Sequence, residues 1–201
     1  MKAVALFKAR ERLEKARQSL QLVQSAANHK DFRFAWTDLL VSANAVFTIL
    51  EQGAKTNPQS RQWFGNKKRF RTKDPLLSYM HQARNADEHG IEPTTMRIGG
   101  GGIRIGRVSG TVHFSTVVGD GEGGTVLGPI SGDGEVDYKI IKPIFMLAIV
   151  KDDRFGNACY YPPIEHLGSP IVDTSPVGVG LLLLAYLDVL VQEASALKAS
   201  A

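Results

Sequence analysis

Within six residues of one another, Arg84, Asn85 and His89 combine a fixed cation, an amide and an imidazole, and His81 and Glu88 lie beside them. A guanidinium suits phosphate binding and a histidine titrates near neutral pH, so residues of these types bind anions and move protons. On a helical wheel of about 100° per residue, His81, Arg84 and Glu88 fall on one flank, whereas His89 lies about 140° from Arg84. One helix therefore does not assemble an active site from them unless a fraying last turn swings His89 around. Plainer roles are also available: an i,i+4 ion pair for Arg84 with Glu88, and a favourable helix C-terminal dipole for His89. A second group precedes these residues. Between positions 61 and 73 stand Arg61, Lys67, Lys68, Arg69, Arg71 and Lys73 with no acid, interleaved with Trp63, Phe64 and Phe70. This pattern fits phosphate binding with base stacking. It fits equally a solvated helix face with inward aromatic anchors.

Helices must position both groups. Leu6, Ala9, Leu13, Ala16, Leu20, Val23 and Ala27 alternate at spacings of three and four, which predicts a first helix of roughly 25 residues with a narrow apolar seam. Asp31 is placed to cap a second helix carrying Phe32, Ala35, Trp36, Leu39, Ala43, Val46, Phe47 and Leu50, so an antiparallel helical hairpin is expected. Asp74 as cap and Pro75 at the first helical position start another helix over 75–89. Its inner face is Leu76, Tyr79, Met80 and Ala83, and Gly90 suits a left-handed end. From 96 to 126, glycines among β-branched residues predict strands and tight turns, followed by a mobile loop over 119–134 and a long β-favouring run over 136–151. Residues 153–157 turn that run back onto 158–161 as a hairpin, and Pro162 and Pro163 end the pairing. The stretch 173–176 starts a last, strongly apolar helix over 177–197. A single domain of mainly α class results, α+β overall. Both chain ends, 1–92 and 174–198, build the helical bundle, and a small antiparallel β element is inserted at about 95–165.

The stretch from Asp74 to Gly90, with its Arg84-Asn85 pair and His89, resembles the signature of the HEPN superfamily, in which an Arg followed by a polar residue precedes a His near the end of a helix in an all-α bundle. The resemblance extends to the two preceding helices, the basic aromatic segment and the final helix, and the inserted β segment departs from the minimal pattern. It implies a HEPN-like bundle acting as a metal-independent endoribonuclease, in which a substrate 2′-hydroxyl attacks the neighbouring phosphate. By this carry-over His89 acts in proton transfer, Arg84 holds the scissile phosphate and Asn85 orients the phosphate or His89, with His81 and Glu88 as supporting residues. The cleft would be shared by two subunits of a homodimer, which answers the 140° separation. A toxin or defence role, with an antitoxin or other protein partner, lies within what the resemblance implies. The alternative is a non-catalytic module that binds RNA or a protein through Lys67, Lys68, Arg69, Arg71 and Lys73.

Composition bounds these readings. A chain of 201 residues, 43% hydrophobic and 22% charged, buries one core. A net charge of +4 and pI near 9.2 permit an anionic partner without requiring one. The single Cys159 fits a reducing compartment, and the short apolar stretch at the N-terminus is too small for a signal-peptide core, so a cytoplasmic location is expected. The apolar run 177–191, broken by Asp188, reads as falling short of a membrane span. His113, Asp152, Asp153 and His166 show no metal-ligand spacing, so neither metal nor cofactor is expected. The glycines at 99–102 lack the Lys-Ser/Thr of a phosphate loop, and no serine sits on a nucleophile elbow.

Overall fold

The structure, a computed structural model, describes residues 1–90, 93–98, 102–114, 117–119, 125–127, 130–141, 144–152 and 158–199. It is mainly helical with small antiparallel sheets. Five helices, α1 (Ala3–Ser25), α2 (His29–Ala54), α3 (Pro58–Lys73), α4 (Pro75–His89) and α5 (Pro176–Ala199), come from the two ends of the chain. The seam of α1 buries Leu6, Ala9, Leu13, Ala16, Leu20 and Val23, stopping short of Ala27, and both α2 and α5 pack on it. Close approach is built in: a Cβ on Gly53 would lie 2.4 Å from Ala5 Cβ, and one on Gly180 would lie 2.6 Å from Leu20 Cδ1. Trp36, Leu39, Leu50, Leu76, Leu187 and Leu190 are almost wholly buried at the centre.

The helix ends follow local chemistry with two differences from expectation. Asn28, not Asp31, caps α2: its side chain accepts the Asp31 N–H at 2.9 Å while its amide donates to the Asp31 carboxylate at 2.9 Å. An asparagine placed before the first turn reaches the third amide, whereas Asp31 already lies inside that turn. Gly90 ends α4 in an extended conformation, φ −94° and ψ 169°, rather than a left-handed one. Its N–H keeps the helical bond to Ala86 O. By length and composition α2 and α5 are long and apolar enough to cross a membrane, which differs from the expectation for the last helix; about half of each qualifying stretch is buried inside the fold.

The middle segment is a nested antiparallel ribbon. Four outgoing strands, β1 (Thr95–Ile98), β2 (Gly102–Ser109), β3 (Val112–Phe114) and β4 (Val117–Gly119), pair in reverse order with β8 (Ile144–Leu147), β7 (Glu135–Ile141), β6 (Ile130–Gly132) and β5 (Thr125–Leu127). From Val108 opposite Val136 to Gly119 opposite Thr125 the three short ladders share one register. The stretch 119–134 thus carries two return strands where its glycines predict a loop. Ladder bonds come from the backbone, so glycine-rich strands pair once the flanking register is set, although their apolar alternation is sparse. The run 136–151 is divided among β7, β8 and β9 (Val150–Asp152). β9 pairs with β10 (Ala158–Tyr160), as the hairpin reading requires, with its turn at 153–157 outside the described residues. A last small hairpin joins β11 (Glu165–His166) to β12 (Ser169–Pro170).

Candidate functional site at the end of helix α4

Helix α4 starts where Asp74 Oδ1 accepts the Leu77 N–H at 3.0 Å, and it buries Leu76, Leu77, Tyr79, Met80 and Ala83. Tyr79 OH donates to Ala148 O at 2.8 Å, which ties the helix to the chain between β8 and β9. Burial raises the Tyr79 hydroxyl above its ordinary value. This inward face leaves Arg84, Asn85, Glu88 and His89 on the last two turns.

The helix remains regular through His89, so Arg84 and His89 keep their angular separation, with no frayed turn to reduce it. Glu88 spans the gap instead. Its Oε2 lies 2.5 Å from Arg84 Nη2 and 3.7 Å from His89 Nε2. Arg84 Nη1 donates to Asn85 Oδ1 at 3.3 Å, Asn85 Nδ2 donates to Gln82 Oε1 at 3.3 Å, and Gln82 Nε2 donates to Tyr160 OH at 3.4 Å. A polar chain therefore runs from β10 across α4 to His89. The Arg84 side chain is 25% exposed and that of His89 is 59% exposed, so both are open to solvent. Arg84 Nε is buried with no hydrogen-bond partner among the described residues. His81, one turn before Arg84, is half-buried beside Asn44, Phe47 and Arg71. Gln82 is discoverable from its i,i+3 spacing to Asn85; Tyr160 has no signal in the sequence.

The basic segment folds as α3, and its contacts favour anchoring. Phe64 is buried, and Trp63 Nε1 donates to Glu193 Oε2 of α5 at 2.8 Å. Lys67 Nζ meets the same carboxylate at 2.7 Å. Burial alone would raise the Glu193 carboxyl, but hydrogen bonds from Lys67 and Trp63 hold it below its ordinary value. Lys68 pairs with Glu51 at 2.9 Å, and the Arg71 guanidinium lies 4.6 Å from the Phe47 ring centre. Burial lowers the Arg71 guanidinium, against the opposing pull of Glu51 and Tyr186. Arg61 Nη2 donates to Lys55 O at 3.1 Å. Arg69 and Lys73 are exposed with no ion pair among the described residues. The segment is thus partly spent on holding α3 to α2 and α5, and Trp63 and Phe64 do not form an open stacking platform.

A further polar pair joins residues far apart in the chain. Asp74 and His166 meet at 2.9 Å, Oδ1 to Nδ1, with side chains only 2% and 6% exposed. Asp74 Oδ2 also accepts the Leu167 N–H at 2.9 Å. The His166 ring stands edge-on to Tyr186 at 5.9 Å, and burial, with the charges of Glu193 and Asp74, pushes the Tyr186 hydroxyl up to about 12. This pair is closed to solvent and is a structural clamp. Among the described residues no three His, Cys, Asp or Glu side chains converge as a metal site would require.

No family model matches the chain, and no curated protein or solved structure matches it either.

Proposed function

We propose that the chain is a HEPN-like endoribonuclease that cleaves RNA by attack of a 2′-hydroxyl on the adjacent phosphate, without a metal ion. The observation that carries this reading is the gathering of Arg84, Asn85, Glu88 and His89 at one accessible helix end, with Glu88 linking the guanidinium and the imidazole. A phosphate replaces Glu88 on Arg84, because a guanidinium receives two phosphate oxygens as readily as a carboxylate. Arg84 then offsets the charge that develops on the phosphate while Asn85 steadies the guanidinium. The 2′-oxygen bonds to phosphorus as its proton passes to an imidazole. The bond to the 5′-oxygen breaks as that oxygen takes a proton, leaving a 2′,3′-cyclic phosphate and a 5′-hydroxyl. One helix does not set its own Arg84 and His89 on the same face, so the His89 of one copy acts opposite the Arg84 of a second copy related by a twofold axis, and the 5′-oxygen takes its proton from that imidazolium or from water. In a cell, such an activity suits a toxin or defence role held in check by a protein partner.

The test is incubation of the purified chain with mixed RNA, with and without a chelator. Cyclic-phosphate products should form in both, and disappear in Arg84→Ala and in His89→Ala. Mixing these two inactive variants under exchanging conditions should restore partial cleavage, since a mixed dimer keeps one Arg84 and one His89. Cleavage that persists in the doubly substituted chain would place the chemistry elsewhere.

A further inference from the structure

A cavity between the end of α2 and the first half of α3 has no part in the cleavage reading. It measures about 400 Å³, within the roughly 300–1,000 Å³ of small-ligand sites. Glu51, Ala54 and Lys55 line it from α2, and Arg61, Phe64, Gly65 and Lys68 line it from α3. The α3 residues recur at i, i+3, i+4 and i+7, so a single face of that helix forms the wall. The cavity is remote from Arg84. Thr37 Oγ1 donates to Asp87 Oδ1 at 3.1 Å, which sets the last turns of α4 beside Thr37, and Glu51 lies about 20 Å farther along α2 at 1.5 Å per residue.

Its floor is apolar. Ala54 and Phe64 are buried, and Gly65 stands at the middle of α3. A glycine in a helix interior weakens the helix relative to alanine, and no packing requires one here, because a Cβ at Gly65 would meet nothing within 4 Å. At Gly53 and Gly180, by contrast, a neighbouring side chain already fills that space. What a side chain at position 65 would fill is the cavity itself. Bare backbone there lets a flat group lie close, where the covered Phe64 ring offers no stacking face. The two ends of the cavity differ in charge. Arg61 Nη2 donates to Lys55 O at 3.1 Å, which holds the guanidinium at the end of α2. Among the described residues neither Arg61 nor Lys55 has a carboxylate partner. At the other end, about 10 Å along the helix axis, Lys68 and Glu51 neutralise each other at 2.9 Å and offer a donor and an acceptor. Three cations against one carboxylate leave an excess of two positive charges. A ligand complementary to this order has a dianion at one end, a flat body and a polar far edge. A phosphomonoester carries about two negative charges at neutral pH, and a guanidinium takes its oxygens in pairs.

We infer that this cavity binds a phosphomonoester of a flat ring compound, with the phosphate on Lys55 and Arg61, the ring over Gly65 and the far edge of the ring at Glu51 and Lys68. The inference does not rest on RNA cleavage: its residues are not those at the end of α4, and its probe, 1-naphthyl phosphate, has no 2′-hydroxyl. The test is isothermal titration calorimetry of the full chain with that probe. Binding should occur with a Kd on the order of 10–100 µM, and 1-naphthol should bind at least roughly tenfold more weakly. Lys55→Gln with Arg61→Gln should weaken probe binding at least roughly tenfold, since both side chains are exposed and the fold does not depend on them. Gly65→Leu should cause a similar loss while the thermal midpoint stays level or rises, because leucine favours the helix that glycine weakens. That combination separates a filled site from a damaged fold. No binding at about 1 mM probe would overturn the inference. So would equal binding of 1-naphthol, or probe binding that neither variant changes. Competition against the probe then identifies the source of the phosphate. Displacement by a 5′-phosphorylated oligoribonucleotide but not by its 5′-hydroxyl counterpart assigns the site to an RNA end, and displacement by neither assigns it to a free small molecule. Equal displacement by both would overturn the inference, because the cavity would then read phosphodiesters.

Discussion

Helix α4 brings a carboxylate to a histidine at each end, in opposite surroundings. At its start Asp74 meets His166 at 2.9 Å with both side chains buried; at its finish Glu88 lies 3.7 Å from the exposed His89 and also holds Arg84. The buried carboxylate is fully committed, to the Leu77 and Leu167 amides and to one imidazole. The exposed carboxylate is held by side chains that an incoming anion can claim. Both ends pair a carboxylate with an imidazole, so the difference lies in whether a competitor can arrive. A buried pair fixes the fold because nothing replaces its partners, whereas an accessible one contributes little stability and leaves its cation available for exchange.

Substitutions at the two ends should separate these roles. The largest effect belongs to the open end: Arg84→Ala and His89→Ala should each reduce RNA cleavage by roughly 10²–10⁴-fold, with stability changed by less than about 0.5 kcal/mol. Single-turnover cleavage and chemical denaturation of the same samples would measure both. Asp74→Ala should do the reverse, costing about 3–5 kcal/mol by leaving His166 and two amides without their acceptor. A denaturation midpoint close to that of the unchanged chain would show that the clamp carries no weight.

A smaller change is expected at Leu167, whose φ of 53° puts a leucine in the left-handed region beside Gly168 at φ 75°. Leu167→Asn should stabilise by roughly 0.5–1 kcal/mol, because asparagine tolerates this conformation and the N–H bonded to Asp74 is retained. Thermal unfolding reads the shift, and an unchanged or lower midpoint would mean that the leucine side chain matters more than its backbone. The smallest stability effect is that of Glu88→Gln, a few tenths of a kcal/mol for one i,i+4 pair. The same substitution should tighten the binding of RNA, since the competitor for Arg84 has lost its charge. Weaker binding by fluorescence anisotropy would make Glu88 part of the RNA site.

Features with short-range causes are legible in the sequence. The three-and-four spacing of the α1 seam, the Asp74-Pro75 start of α4 and the Arg84 to Glu88 contact all depend on neighbours within one or two turns. The Asp74–His166 clamp joins residues 92 positions apart, and neither residue carries a mark of the other. By type alone Lys67 and Trp63 suit RNA or a protein surface equally; what separates the two roles is Glu193, which α5 brings beside them. The return strands of the ribbon are obscured because Val126, Leu127 and Ile130 are separated by glycine and proline, and their pairing is set by register rather than by their own pattern.

The seating of α5 against α1 also has a consequence for the order of events during synthesis. Arg17 bonds Asp188 and Arg10 donates to Ser195 across 185 positions, while Gly180 packs between Leu20 and Leu39. A nascent chain can close the α1–α2 hairpin early, but the groove that receives α5 stays open until that helix leaves the ribosome. At 5–20 residues per second that interval is roughly 10–30 s, during which an apolar stripe of half-finished bundle faces solvent or a chaperone. The ribbon is made within the same interval, so its strands emerge before the core is sealed.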